Sequence, residues 1–169
     1  MLGGWDVSWE AIVEQGRFRV GLRVDDVAAA ARFYGGLGFA EVGTVPGDHG
    51  RPLMTILERD GVLLIADALE GMPFADSDRE RATREGRRGL GVAIGLGVDD
   101  LAAAYRYCTA AGCVITSEPR DEVWGDRVFE LIDPFGYQWE ISQRVAEINS
   151  DDALRAVQAD WSAAREALS

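Results

Sequence analysis

One histidine, His49, and two cysteines, Cys108 and Cys113, are all this chain offers of the side chains that most often bind metals or serve in nucleophilic catalysis. Chemistry that needs paired histidines, most zinc chemistry included, is excluded. His49 stands in the turn-rich stretch Pro46-Gly47-Asp48-His49-Gly50, where a solvated loop side chain is the simple reading and a catalytic base the sharper one. Cys108 and Cys113 fall on and just after one expected helix, at a spacing that matches no zinc or redox motif, so packing is their expected role. None of Ser8, Ser77, Ser117, Ser142, Ser150, Ser162 and Ser169 lies in a nucleophile elbow, which makes hydrolase chemistry a poor fit. The run from Gly89 to Gly97 is glycine-rich, but its spacing is wrong for a dinucleotide fingerprint and it lies along an expected strand. What remains is carboxylate chemistry. Glu140 sits in an expected strand, where a buried carboxylate beside a substrate carbonyl could move a proton unaided.

The elements that position these groups are written twice. Val24-Asp25-Asp26-Val27-Ala28-Ala29-Ala30 returns as Val98-Asp99-Asp100-Leu101-Ala102-Ala103-Ala104, an offset of 74 residues (98 minus 24). At the same offset Gly21 matches Gly95, Leu22 matches Leu96, Arg32 matches Arg106, Phe33 matches Tyr107 and Gly38 matches Gly112. Each copy opens with a strand, 17–24 and 90–98, whose alternate residues Phe18, Val20, Leu22, Val24 and Val92, Ile94, Leu96, Val98 are expected to face a core. The opposite faces carry Arg19, Gly21, Arg23 and then Gly91, Ala93, Gly95, Gly97, and a strand so bare is expected to line an open cleft. A helix follows each strand, started by an Asp pair and stopped at Gly38 or Gly112. Three strands complete the first copy, at 39–45, 53–59 and 62–68, the last two joined by the hairpin signal Asp60-Gly61. The second copy gives 114–116, 127–132 and 137–142, with Asp133-Pro134-Phe135-Gly136 as a type I turn.

Two modules of about 60 residues would be marginal apart, so one compact domain is expected. Flanking it are an N-terminal extension, 1–16, with Trp5, Trp9, Ile12 and Val13 on one helical face, and a helix within 149–169 capped by Asn149 or Ser150. Leu154, Val157, Trp161, Ala164 and Leu168 share one face of that last helix, which is expected to pack on this chain or on a partner subunit. The connector 76–89, rich in Arg and Glu, reads as a short solvated helix or a mobile connector. With 17 basic against 29 acidic side chains, the net charge of −12 disfavours nucleic acid and anionic membranes. It favours a cationic ligand, or simply confers solubility. There is no 18-residue apolar run, and Met1-Leu2-Gly3-Gly4-Trp5-Asp6 lacks the regions of a signal peptide, so a cytoplasmic protein is expected.

Strand, helix and three strands twice over, with Trp124-Gly125-Asp126-Arg127 ahead of Asp133-Pro134-Phe135-Gly136-Tyr137-Gln138-Trp139-Glu140, resembles the glyoxalase, bleomycin-resistance and extradiol-dioxygenase superfamily. That superfamily is also called vicinal oxygen chelate (VOC). The resemblance runs from about Arg17 to Ile148 and is most similar to the PhnB-like branch. It implies an α+β fold of two βαβββ modules, about 17–75 and 90–148, paired into one domain around a cleft, and a homodimer. It also implies that the family's enzymes hold a divalent metal with one ligand from the first and one from the last strand of each module. In this chain the first-strand positions are Arg19 and, 74 residues on, Ala93. Aligning the turn glycines Gly61 and Gly136 puts the last-strand positions at Ile65 and Glu140. Only Glu140 can ligate, because an arginine stays protonated, so neither a metal nor another cofactor is expected. Asp67, Glu58 and Glu130 could build a different oxygen-rich site, though nothing in their spacing demands it. Arg19 is expected to put its guanidinium where the metal would sit and to pair with Glu140; the alternative is two independently solvated side chains.

Strand alternation places Gln138, Glu140 and Ser142 on the cleft side and Tyr137, Trp139 and Ile141 under the helix. Trp124, beside Gly125, can hang over the cleft mouth and stack on a planar ligand, or can simply anchor its loop. The expected function is metal-free binding of a small molecule, an antibiotic or other planar and cationic secondary metabolite. Arg19, Arg23, Asp67, Trp124, Gln138 and Glu140 would supply polar and stacking contacts, and Met54 and Ile65 apolar lining. The alternative is an enzyme, a lyase, isomerase or dioxygenase, with a noncanonical metal site or Glu140 as catalytic general base. A third class is an interaction protein that assembles through its terminal helices.

Overall fold

The computed structural model describes residues 18–71 and 73–167, so the helix expected at 1–16 lies outside the described residues. The chain divides into two compact units, Met1–Arg88 and Gly89–Ser169, each built as strand, helix and three strands. In the first, β1 (Phe18–Val24) leads to α1 (Val27–Gly36), then β2 (Ala40–Pro46), β3 (Pro52–Arg59) and β4 (Val62–Ala68). The sheet order is β1-β4-β3-β2, with β1 parallel to β4 and the other pairs antiparallel. The Asp26 carboxylate caps α1 by accepting from the Ala29 N–H at 2.9 Å, and Gly38, at φ +90°, ends it. The Asp60-Gly61 turn between β3 and β4 takes positive φ at both residues, the geometry that lets a two-residue hairpin follow the strand twist. α1 lies across β3 and β4 and covers Leu22, Val24, Leu57, Leu64 and Ala66, all buried. After β4, α2 (Ser77–Glu85) is the solvated connector helix, and Arg88 beyond it makes a two-pronged ion pair with Asp25 at 2.7 and 3.2 Å.

The second unit repeats the plan with β5 (Ala93–Gly97), α3 (Leu101–Ala110), β6 (Val114–Asp121), β7 (Asp126–Ile132) and β8 (Gln138–Arg144), in the order β5-β8-β7-β6. α3, capped by Asp100, packs on β7 and β8 over Phe129, Leu131, Trp139 and Ile141. Asp133 is buried in the turn before β8 and is fully used. One carboxylate oxygen accepts from the N–H groups of Phe135 and Tyr137, both at 2.9 Å, and the other from the Trp139 indole N–H at 2.8 Å. The aspartate-proline-phenylalanine-glycine phrase is thus a structural clasp, with Trp139 in the core as expected.

Several expectations are corrected. β5 starts at Ala93 instead of Leu90, because Gly89 and Gly91 adopt positive φ and break the strand, leaving Val92 57% exposed. Phe18, at the open end of β1, is likewise exposed. β6 runs on to Asp121 through Pro119, which an edge strand tolerates, and shifts register near Ser117. The last helix, α4 (Ser150–Ala167), is capped by Asn149, and among the described residues Leu154 and Trp161 on its apolar face are 70% and 68% exposed. Leu168 lies outside the described residues.

Candidate functional site

The face of the second sheet that α3 leaves uncovered carries Gln138, Glu140 and Ser142 on β8, and Glu140 sits in register between Gly95 on β5 and Glu130 on β7. Gly95 and Gly97 have open space where a side chain would stand, so β5 gives this face a bare strip of backbone beside Glu140. Glu122, Asp126 and Glu130 surround it with further negative charge. Arg120 pairs with Glu122 at 2.6 Å and Glu130 at 2.7 Å, and Arg144 pairs with Asp126 at 3.1 Å. Among the ion pairs of the described residues none includes Glu140. Its partial burial, then the charges of Glu130 and Glu122, hold its carboxyl above the ordinary glutamate value, with Arg120 pulling the other way. Arg120, the cation acting on Glu140 from its own unit, was not among the residues singled out from sequence; β6 was too polar there to read as a strand.

The face of the first sheet turned away from α1 is different in kind. Met54 and Ile65 pack with Ile56, Leu63 and Val42 into an apolar patch, of which sequence reasoning found only the first two. Asp67, half-buried, is raised above the usual aspartate value by burial, with Arg23 opposing; the two are register partners across β4 and β1. Arg23 also donates to the carbonyls of Ala68 and Pro73 at 3.3 and 3.0 Å and lies 4.3 Å from the Phe74 ring centre, so it holds the chain that leaves β4. Arg19 is exposed at the start of β1.

Trp124 opens the turn into β7 and is partly exposed. Its carbonyl accepts from Arg144 at 2.7 Å. Gly125, at φ +92°, has no room for a side chain: a Cβ there would stand 2.5 Å from the Ala146 carbonyl oxygen. Arg127 pairs with Asp121 at 2.5 and 2.9 Å. The tryptophan-glycine-aspartate-arginine phrase therefore builds the turn into β7. His49 is exposed in a short turn at φ 55°.

Two depressions lie elsewhere, one at the start of the helix in each unit. One of about 570 Å³ is lined by Asp25, Asp26, Asp48, Arg51 and Glu70. The other, about 290 Å³, is lined by Leu101, Tyr105, Arg106, Arg127 and Gln143. Neither contains a residue expected to bind ligand, and their polar groups are largely committed. Asp26 caps α1 and Asp25 holds Arg88, while Gln143 accepts from the Leu101 N–H at 3.0 Å and Arg127 holds Asp121.

The divalent metal that the fold implies does not fit these residues. Arg19 and Ile65 in the first unit and Ala93 in the second bring no donor, and among the described residues no three His, Cys, Asp or Glu side chains converge as a metal-binding group. Glu140 is the one donor among the four family positions.

Comparison with known proteins agrees with this architecture. An uncharacterized protein of Mycobacterium bovis, Mb0911c, is 33% identical over 138 residues, covering 80% of this chain and 88% of the relative. The Mycobacterium tuberculosis protein Rv0887c is 33% identical over the same length, covering 79% of its own. Among solved structures, TioX from Micromonospora sp. ML1 superposes with a TM-score of 0.56 at 22% identity, covering 76% of this chain and 98% of that one. A glyoxalase-related enzyme from Fulvimarina pelagi gives 0.55 at 23%, covering 81% and 94%. The family model of the glyoxalase/bleomycin resistance protein/dioxygenase superfamily matches residues 16–141. With the repeated βαβββ units, that match settles the family: the chain belongs to the glyoxalase/bleomycin resistance protein/dioxygenase superfamily.

Proposed function

We propose that this protein binds a planar, cationic small molecule without a metal, on the sheet face around Glu140. The observation that carries the reading is a partly buried carboxylate, outside the ion pairs of its neighbours, beside the bare backbone of Gly95 and Gly97. A partly buried carboxylate crowded by the charges of Glu130 and Glu122, with Arg120 committed to those two, is unfavourable, and a ligand cation relieves that cost. A flat ligand can lie on the glycine strip, with the Trp124 ring as a stacking partner. The ligand class is an antibiotic or other secondary metabolite, and the surface charge of −12 steers a cation toward the protein. Gln138 adds a polar contact beside Glu140; within the first module, Arg19, Arg23, Asp67, Met54 and Ile65 are the proposed polar and apolar ligand contacts. The tryptophan-glycine-aspartate-arginine turn supports placement in the PhnB-like branch. A cytoplasmic homodimer, with Leu154 and Trp161 of α4 covered by a second subunit, completes the proposal. Tryptophan-fluorescence titration with a panel of cationic aromatic metabolites tests it. Saturable binding that Glu140→Gln and Gly95→Val both abolish is expected; wild-type affinity in the two variants overturns it.

One observation favours a second reading. A carboxyl held above its ordinary value is better matched to accept a proton near neutral pH, which suits Glu140 as a catalytic general base in a lyase or isomerase. Turnover lost in Glu140→Gln with the fold intact supports it, and unchanged turnover removes it.

A further inference from the structure

α3 ends in a motif that brings the chain's two cysteines together. The Cys113 N–H donates to the Cys108 carbonyl at 3.1 Å and the Gly112 N–H to the Thr109 carbonyl at 3.2 Å, with Gly112 at φ +83°. These are the paired bonds of a Schellman cap, which sets the third-last helical residue against the second residue beyond the cap. In the first unit the same cap joins Tyr34 and Phe39, through Phe39 N–H to Tyr34 carbonyl at 3.1 Å and Gly38 N–H to Gly35 carbonyl at 3.0 Å. Their rings meet edge to face at 6.2 Å. The offset of 74 residues turns that aromatic pair into Cys108 and Cys113. Each thiol acts on the other: Cys113 holds the Cys108 thiol below its ordinary value, while Cys108 and burial push the Cys113 thiol far up; Cys108 is fully buried and Cys113 partly exposed.

We propose that Cys108 and Cys113 form a reversible disulfide that staples the end of α3 to the residue that enters β6. A cap of this kind already holds the two residues close in the reduced state, which removes most of the geometric obstacle to bridging. The oxidant is a low-molecular-weight disulfide. The Cys113 thiol loses its proton, and the thiolate attacks one sulfur of the reagent, forming a mixed disulfide and expelling one thiolate. The Cys108 thiol then loses its proton and attacks the Cys113 sulfur, forming the Cys108–Cys113 bond and expelling the second thiolate. The two protons released by the cysteines end on the two expelled thiolates, so two protein thiols and one reagent disulfide become one protein disulfide and two small thiols. Cys108 and burial hold the Cys113 proton tightly, which slows this step, but Cys113 reacts first because it is the one of the two within reach of solvent.

The test titrates the full chain with oxidised glutathione under non-denaturing conditions. Expected is joint loss of both free thiols, with the peptide spanning residues 107–120 lighter by about two mass units and the protein unlinked to other copies, all reversed by dithiothreitol. Slower amide exchange at the end of α3 accompanies it. In Cys113→Ser the buried Cys108 stays unmodified, and in Cys108→Ser Cys113 stops at the glutathione adduct. Two thiols still free at excess reagent, stable glutathione adducts in the wild type, or disulfide-linked dimers would each overturn the proposal.

Discussion

Replacing Asp133 separates a structural from a chemical role for the phrase that most marks this family resemblance. Its carboxylate, 4% exposed, accepts three hydrogen bonds, two from backbone N–H groups and one from the Trp139 indole. Asp133→Asn can keep the carbonyl oxygen against the two backbone donors, but it turns an NH2 toward the indole N–H. One buried donor then faces another, and the expected loss is about 2 kcal/mol. Asp133→Ala orphans all three donors, and even at the low end of about 1–3 kcal/mol each the loss reaches about 3 kcal/mol. Trp139→Phe in the Asp133→Asn background removes the clash, so the double variant should lose less than the sum of the singles. Urea unfolding followed by far-ultraviolet circular dichroism reads all four proteins. Equal losses for Asn and Ala, or additivity with Trp139→Phe, would refute the clasp.

Gly125→Ala should cost about 2 kcal/mol or more, because φ is +92° and the Cβ would meet the Ala146 oxygen at 2.5 Å, whereas Gly95→Ala should be neutral or stabilising by up to about 1 kcal/mol. Thermal unfolding compares them. Because folding raises the Glu140 pKa, the folded protein binds the extra proton more readily than the unfolded chain, and stability falls as pH rises from 4.5 through the folded value. Glu140→Gln should therefore melt at or above wild type at pH 7, with the difference vanishing below pH 4.5, as calorimetric scans across pH would show. Trp124→Ala should weaken binding of a planar cation at least about tenfold, or about 1.4 kcal/mol, by fluorescence titration; unchanged affinity would leave Trp124 a turn residue only.

Much of the fold was legible because the signals were local and doubled. Asp26 and Asp100 as caps, Gly38 and Gly112 as stops, and the Asp60-Gly61 and Asp133-to-Gly136 turns all follow from backbone chemistry that needs no tertiary context. The errors lie where context decides. Val92 reads as core by alternation, yet the positive φ of Gly89 and Gly91 takes it out of the strand. The end of β6 reads as loop because an edge strand solvated beyond its pairing with β7 has no hydrophobic alternation to display. That blind spot hid Arg120, whose two carboxylate partners come from different elements. The pairing of Cys108 with Cys113 was hidden for another reason: a spacing of five matches no redox motif, and only the cap geometry, visible by analogy with Tyr34 and Phe39, brings the side chains together.

Metal content of protein purified without tag or chelator, measured by plasma mass spectrometry beside Glu140→Gln, bears most directly on whether Glu140 serves a ligand or an ion. Absence of stoichiometric divalent metal from both proteins is the predicted result, since Arg19, Ile65 and Ala93 leave Glu140 without co-ligands. Near-stoichiometric metal in the wild type that disappears in Glu140→Gln would contradict it and make a metal-dependent enzyme the better description.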